Sequence, residues 1–414
     1  VRARKLLVVG QQFDLSLDLV REFEAAPVGT APVILNANGL IVSAGVTGDG
    51  KFVLGGFNVA DLPAGFGETS DLPGEIVLAG AGFDWQQLKV GYDLRVRHLK
   101  TWAVPIGTST DSLLVGSKAQ RWAIKNPAWA NARGDNWGDT FFVNDLVFAL
   151  RALGHHVVED RLQNWNRPSR KFDDVELVIR GKSAYQPSGK AKSILWVISH
   201  PELVTVEEVR SYDLVFAASA SWAAEMSSRA GRKVEVLYQA TNPARFKPAA
   251  VSSKLKSQVL FVGRTRDVFR QVVEFAVRAK AKLSVYGGGW AEFIDSKYIK
   301  GDFLPNEQVP AAYASCELLL NDHWQDMREQ GFVSNRLFDA AACGTRVLSD
   351  HIDGLDLLFS GLVQTYQSFD EFKKLVGDIS AWPSDAQRKK IAAQVAREHS
   401  FAARAKVLSE AANA

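Results

Sequence analysis

Short apolar runs separated by helical or polar stretches occur in two series along this chain, and that alternation limits its fold more than any other feature. The first series is Trp122 to Lys125, His156 to Val158, Val175 to Ile179, Ile194 to Ile198 and Leu214 to Ala217; the second is Val259 to Val262, Leu283 to Tyr286, Leu318 to Leu320 and Val347 to Ser349. Within the first, Phe141, Leu146, Ala149, Leu150 and Leu153 repeat at helical spacing, and the pattern stops at Gly154, a residue suited to ending a helix. Within the second, Val268 to Ala279 and Arg336 to Ala342 read as helices. Strands alternating with helices predict parallel, doubly wound sheets. The segment Thr241 to Gln258, with Pro243, Pro248, Ser252, Ser253 and Ser257, reads as a linker between the series, and the alanine-rich, charged tail Ser384 to Ala414 reads as helical. A bilobal α/β enzyme architecture follows.

Residues 30 to 115 follow a different grammar. Val33 to Leu35, Leu40 to Val42 and Lys51 to Leu54 are punctuated by Asn38-Gly39 and Gly48-Asp49-Gly50, as in strands joined by turns. One helix-like segment, Ser16 to Ala25, precedes them. The expected organisation is a β-rich module over 1–116, a Rossmann-like lobe over 117–245, a second over 246–383 and a closing helix over 384–414. At roughly 100 to 200 residues per domain, the length accommodates these parts.

Composition excludes several function classes. The chain has 49 Lys+Arg against 46 Asp+Glu, a net +3, too balanced for a charge-driven nucleic-acid clamp. No nucleic-acid partner is therefore expected. Cys316 and Cys343 lie in no CxxC or Cys/His pattern, so neither a disulfide framework nor a zinc site is expected, and a reducing cytoplasm is the expected compartment. The longest uncharged stretch, Ala25 to Gly48, is broken by Pro27, Pro32, Asn36 and Asn38, whereas a membrane span needs about 20 mainly apolar residues. Contact with the inner face of a membrane would then be peripheral. Leu6 to Val9, after Arg2, Arg4 and Lys5, falls short of the ~7 to 15 apolar residues of a signal peptide. With 11 Trp beside 2 Met, each tryptophan near a candidate site has to be weighed between ring stacking and core packing.

Five segments carry residue types suited to chemistry. After the run Leu318 to Leu320 comes a polar loop, then Gly331, then Ser334 as N-cap of a helix whose first turns hold Asn335, Arg336 and Asp339. A helix N-terminus offers free N–H groups and partial positive charge to a diphosphate, and Asp339 can accept from two neighbouring hydroxyls, as a ribose presents. The structural alternative is a capped helix with a solvated aspartate. Gly263 allows a tight turn after Val262, and Arg264 and Arg266 follow at the carboxyl end of a strand, where open α/β sheets bind ligands. Paired arginines there match phosphate oxygens with forked hydrogen bonds; the alternative is a solvated basic turn.

Tyr286-Gly287-Gly288-Gly289-Trp290 follows another strand, and its glycines admit a second backbone or a flat base. It lacks GxGxxG spacing, which disfavours a nicotinamide enzyme. Asp135, Asn136, Trp137, Gly138 and Asp139 join a strand to a helix, with Trp137 placed either to stack on a sugar or base ring or to plug the loop. His200 ends the run Ile194 to Ile198, where a histidine faces the cleft or is satisfied by a backbone carbonyl. The adjacent pairs His155-His156 and Asp173-Asp174 point to different faces, and HExxH, P-loop and GxSxG patterns are absent, so no metal is expected.

FVGRTRDVFR at 261–270, LSVYGGGW at 283–290 and GFVSNRLFDAAACGT at 331–345 together resemble a glycosyltransferase of the GT-B fold, specifically the spore-maturation-protein (CgeB-like), group 1 type. The resemblance covers roughly residues 120 to 414, with TNPARFKP at 241–248 similar to the interlobe crossing and Glu398 to Arg404 similar to the closing helix. It implies an α/β fold of two Rossmann-like lobes, to which the β-rich module is an addition. The implied reaction is retaining, metal-independent transfer, without a cofactor, from a UDP-, GDP- or dTDP-sugar to a glycan, lipid-linked or protein acceptor.

By the same resemblance the donor lies on the second lobe. Gly263, Arg264, Arg266, Tyr286, Gly287 and Gly288 face it from one side, and Phe332, Val333, Ser334, Asn335 and Arg336 from the other, with Asp339 on the ribose. Arg264 and Arg266 would balance leaving-group charge; the acceptor would enter near Asp135 to Asp139 and His200. Related retaining enzymes often carry two glutamates eight positions apart, where this chain has Gly331 and Asp339, so Asp326 or Arg328 is left to supply the missing contact. Two other readings stay open: a GT-B-like sugar-nucleotide epimerase, which needs an acid/base pair, and a non-enzymatic glycan-binding protein, which the tryptophans and the β module suit.

Overall fold

The computed structural model describes residues 6–9, 30–35, 41–43, 66–68, 76–79, 89–97, 120–135, 137–166, 170 and 173–414. The helix-like Ser16 to Ala25, the run Lys51 to Leu54 and Asn136 lie outside the described residues. Six strands, β1 (Leu6–Val9), β2 (Thr30–Leu35), β3 (Ile41–Ser43), β4 (Phe66–Glu68), β5 (Ile76–Ala79) and β6 (Lys89–Arg97), form one sheet in the order β1-β5-β2-β6-β4, with β3 on β2. Its pairs are antiparallel except β2 with β6. This is the β-rich module that the turn-punctuated sequence predicts.

A second sheet contains β7 (Arg121–Asn126), β8 (His156–Arg161), β9 (Val175–Arg180), β10 (Lys192–Val197), β11 (Leu214–Ala217) and β12 (Glu235–Val236), in the order β12-β11-β10-β9-β7-β8. A third contains β13 (Ser257–Val262), β14 (Leu283–Tyr286), β15 (Ile299–Gly301), β16 (Cys316–Asn321), β17 (Val347–Asp350) and β18 (Val363–Tyr366), in the order β15-β14-β13-β16-β17-β18. All five of its pairings are parallel. The two series of apolar runs are thus two doubly wound sheets. Strands β12, β15 and β18 escape the periodicity because they are short and mix polar with apolar residues.

Contacts divide the chain into two compact units, residues 1–179 with 185–194, and residues 180–184 with 195–414. In the first, β8 runs three residues beyond the apolar run that marks it, through Glu159, Asp160 and Arg161. These charges are buried because each is paired. Lys125 Nζ donates to Asp160 at 2.8 Å, and Asn126 and Arg161 donate to Glu159 at 2.6 and 2.8 Å. Burial pushes the Glu159 carboxyl up, against the pull of Arg161.

In the second unit the third sheet is buried on both faces. Leu319, Val347, Leu337, Phe338, Ile391 and Val395 pack in one cluster, and Phe261, Leu320, Leu348, Val272, Phe275 and Phe372 in another. The tail forms two helices, Asp385–Glu398 and Phe401–Ala412, where the sequence predicts a single closing helix. The break has a physical cause. Thr241 inserts its backbone there, donating to His399 O at 2.9 Å and accepting from Phe401 N at 3.1 Å, while the Ser400 hydroxyl caps the second helix. Arg404, buried, locks the junction by donating to Tyr238 O, Gln239 O and Glu398 O.

Candidate functional site

In the third sheet the strand order reverses between β13 and β16, and open α/β sheets bind ligands in the crevice at such a switch point. The chain after β13 turns at Gly263, whose N–H donates to Tyr286 O at 2.8 Å and whose carbonyl accepts from Trp290 Nε1 at 2.7 Å. The triple glycine supports this turn by letting a second backbone in. A Cβ on Gly287 would lie 2.1 Å from Gly263 O, and one on Gly289, at φ 86°, would lie 2.5 Å from the Thr265 hydroxyl. Trp290 is buried, edge-on to Phe261, so this tryptophan packs the core beneath the turn. Tyr286 is half-buried at the strand end.

Four arginines gather around the turn. Arg270, buried, donates Nε to Asp322 at 2.8 Å, Nη2 to the same carboxylate and Nη1 to Arg264 O at 3.0 Å. Its Nη1 and the Nη2 of Arg336 stand 3.1 and 3.4 Å from where a Gly263 Cβ would be, so only glycine leaves both guanidinium groups this close to the backbone. Arg336 also donates to Asn321 Oδ1 at 3.1 Å. Arg266 lies over the Trp324 ring, 3.8 Å from its centroid. Burial, then the like charges of Arg270 and Arg336, outweigh Asp322 and Asp326 and bring Arg266 down to about 9. Arg264 is exposed, and among the described residues its side chain has no ion pair or hydrogen bond. Such a cluster favours an anion.

Sequence periodicity runs a helix from Val268; the structure starts it at Gln271. Arg266 and Asp267 are left-handed, φ 63° and 61°, and Arg270 is extended, which turns its side chain back to Asp322. The role of Arg270 is invisible in the sequence for that reason: a helical register hides it.

The loop before the helix Asn335–Ala342 spends most of its amides internally. Phe332 N donates to Met327 O at 2.8 Å, Val333 N to Ala218 O at 3.3 Å and Ser334 N to His323 Nε2 at 3.1 Å. Phe332 and Val333 are buried, Phe332 against Trp222. Ser334 is the N-cap by backbone, but its side chain makes no capping bond. The amides of Asn335 and Arg336 have no acceptor among the described residues, which narrows the anion-facing N–H groups to these two. Asp339 accepts from the Thr241 hydroxyl at 2.7 Å and from Asn335 Nδ2 at 3.1 Å, tying the helix to the interlobe segment.

Buried His323 positions this helix. Its Nδ1 lies 2.6 Å from Asp350 Oδ1, and its Nε2 must be an acceptor to take the Ser334 N–H. Burial pushes the Asp350 carboxyl up, but His323 and the Ser349 hydroxyl together hold it below the ordinary range. Neither residue stands out in sequence, because His323 and Asp350 sit on different strand ends.

His200, left-handed at φ 52°, comes together with Asp326 and with Glu202, which the sequence does not single out. Their ligand atoms all lie within 4.8 Å of one another, a spacing that suits proton sharing and could also surround a cation. His200 Nδ1 is 3.2 Å from Glu202 Oε1. Burial, then the Glu202 carboxyl, raise Asp326; burial pushes Glu202 up as well, but hydrogen bonds from Asp326 and His200 hold it lower. The stabilisation from protonated Asp326 is present at low pH and is lost as pH rises through its raised pKa. Asp326→Asn keeps the protonated form's shape, so it should raise the melting temperature at pH 8 by about 1 to 3 °C and give no gain at pH 4. Equal shifts at both pH values in a melting series would refute the shared proton.

Arg328 sits on the same short helix, Gln325–Glu329, as Asp326. The other predicted acceptor-side residues belong to the first unit. There Asp135 pairs with Arg161 at 3.3 Å, Trp137 is the half-buried N-cap of the helix Gly138–Ala152, Gly138 is exposed and Asp139 lies in that helix's first turn.

No curated protein matches this chain in sequence. A family model described as "Glycosyl transferase-like" matches residues 264–410. Among solved structures, sucrose-phosphate synthase from Thermosynechococcus elongatus is similar with a TM-score of 0.51 at 14% identity, over 70% of this chain and 98% of that one. The fold is GT-B. A glycosyltransferase involved in avilamycin A biosynthesis gives 0.48 at 16% identity, over 71% and 97% of the two chains. In this GT-B fold the glycosyl transferase-like segment begins at Arg264, and so contains the arginine turn, the helix with Asp339 and most of the tail. Among the described residues no helix is long and apolar enough to cross a membrane.

Proposed function

We propose that this protein is a glycosyltransferase of the CgeB-like, group 1 type, moving a sugar from a UDP-, GDP- or dTDP-linked donor to a glycan, lipid-linked or protein acceptor in the cytoplasm. The observation that carries the reading is the convergence of Arg264, Arg266, Arg270 and Arg336 on one glycine turn, beside the open amides of Asn335 and Arg336. Charge grows on the departing diphosphate as the sugar leaves, and fixed cations and N–H dipoles aimed at it stabilise that state. Arg264 and Arg336 supply this charge without a metal, while Arg270, paired with Asp322, holds the turn and Arg266 lies over Trp324 at its edge. Asp339, held in place by Thr241 and Asn335, is the carboxylate that takes the ribose hydroxyls, as the resemblance implies. His200, backed by Glu202, faces the sugar from the acceptor side, and transfer proceeds with retention.

A thermal-shift panel of UDP, GDP and dTDP tests the reading. The matching nucleoside diphosphate at 100 times its Kd should raise the melting temperature by about 3 °C, since such saturation contributes ~2.7 kcal/mol. A flat response to all three would defeat it.

The His200–Glu202–Asp326 group favours one second reading, epimerisation, because it provides the acid/base pair that such an enzyme needs. Nucleotide sugar incubated without acceptor separates the two: a new stereoisomer supports epimerisation, unchanged sugar supports transfer.

A further inference from the structure

A cavity of about 280 Å³ opens beside the arginine cluster, between the loop after β13 and the segment after β16, closed at its end by β17 and β18. Its charged lining consists of Arg266, Arg270, Asp322, Arg328 and Asp350, with His323. The acids are already engaged: Asp322 with Arg270, and Asp350 with His323. Arg266 and Arg328 have no ion pair or side-chain hydrogen bond among the described residues. Two guanidinium groups without an ion pair in one partly enclosed space favour an anion that completes them. Trp324, 38% exposed, also lines the cavity, with the Arg266 guanidinium held over its ring. The volume falls below the ~300 to 1,000 Å³ that encloses a drug-sized ligand, so it suits one sugar ring and its substituent, not a whole nucleotide sugar.

We propose that this cavity is a subsite for an anionic sugar, a ring bearing a carboxylate or a phosphate whose charge is met by Arg266 and Arg328. The proposal rests on the glycosyltransferase reading and narrows its substrate class: either the donor's sugar or the acceptor carries the negative group. A neutral hexose gives neither arginine an ion pair and binds weakly.

Ligand-observed NMR titration of the full chain with glucose, glucuronate, glucose 6-phosphate and inorganic phosphate provides the test, on wild type, Arg328→Gln and Arg266→Gln with folding checked by circular dichroism. Glucuronate or glucose 6-phosphate should bind at least about tenfold more tightly than glucose, and Arg328→Gln should remove about tenfold of that. Preference for one of the two identifies the group as carboxylate or phosphate. Three results each overturn the subsite: glucose binding as well as both anionic sugars, inorganic phosphate binding as well as glucose 6-phosphate, or both variants retaining full affinity. The nucleoside diphosphate panel run on the same samples keeps the two readings apart, because a retained nucleotide shift with no anionic preference removes the subsite alone.

Discussion

Arg264→Ala should lower kcat/KM for nucleotide-sugar turnover by about 10² or more while the melting temperature stays within a degree or two of wild type. The separation follows from where this arginine sits. Its side chain is exposed and makes no ion pair or hydrogen bond among the described residues, so the folded protein loses little when it is removed. Its structural contribution is the backbone carbonyl, which accepts from Arg270 Nη1 at 3.0 Å and survives the substitution. The additional negative charge that a departing diphosphate gains develops only as the glycosidic bond breaks, so the loss should appear in kcat more than in KM. Steady-state kinetics beside a melting curve decide the matter, and turnover within about threefold of wild type would sink the assignment. Arg270→Ala is the contrast: it leaves the half-buried Asp322 carboxylate without its partner and should cost stability and activity together.

The second large effect is expected at Gly287. A methyl group there would stand 2.1 Å from Gly263 O and 2.4 Å from its carbonyl carbon, and φ of 142° is one that other residues rarely adopt. Neither backbone can yield without moving the arginine turn, since Gly263 N, Gly263 O and Thr265 N are all hydrogen-bonded in place. Gly287→Ala should therefore cost ~3 kcal/mol or more, the upper end of overpacking, and depress turnover in parallel. Gly377→Ala, where a Cβ meets nothing within 4 Å, is the control and should change the melting temperature little. Equal behaviour of the two variants in thermal melts would show that the close approach at Gly287 is unimportant.

The sequence showed which segments form the site more clearly than what each residue does there. GRTR follows β13, the triple glycine follows β14, and the helix at 335 comes after the loop that follows β16, so all three lie beyond the carboxyl ends of neighbouring strands. Within them the division of labour is different from the one a linear reading suggests. The triple glycine supports the turn, Trp290 fills the core, and the amides of Phe332, Val333 and Ser334 are taken by protein acceptors. Arg270 and the His323–Asp350 pair, absent from the sequence-derived site, set the positions of its neighbours.

By itself the sequence determined the two parallel sheets and the strand ends at which a ligand would sit. A strand covered on both faces must be an almost continuous apolar run, and that signal is local. Tertiary structure alone decided which arginine is free, which amides remain open, and that His200 and Glu202 meet Asp326 across more than a hundred residues of chain. Free and paired arginines look alike in a sequence. Only the position of the partner, set by packing between distant segments, distinguishes a guanidinium that holds the fold from one that waits for an anion.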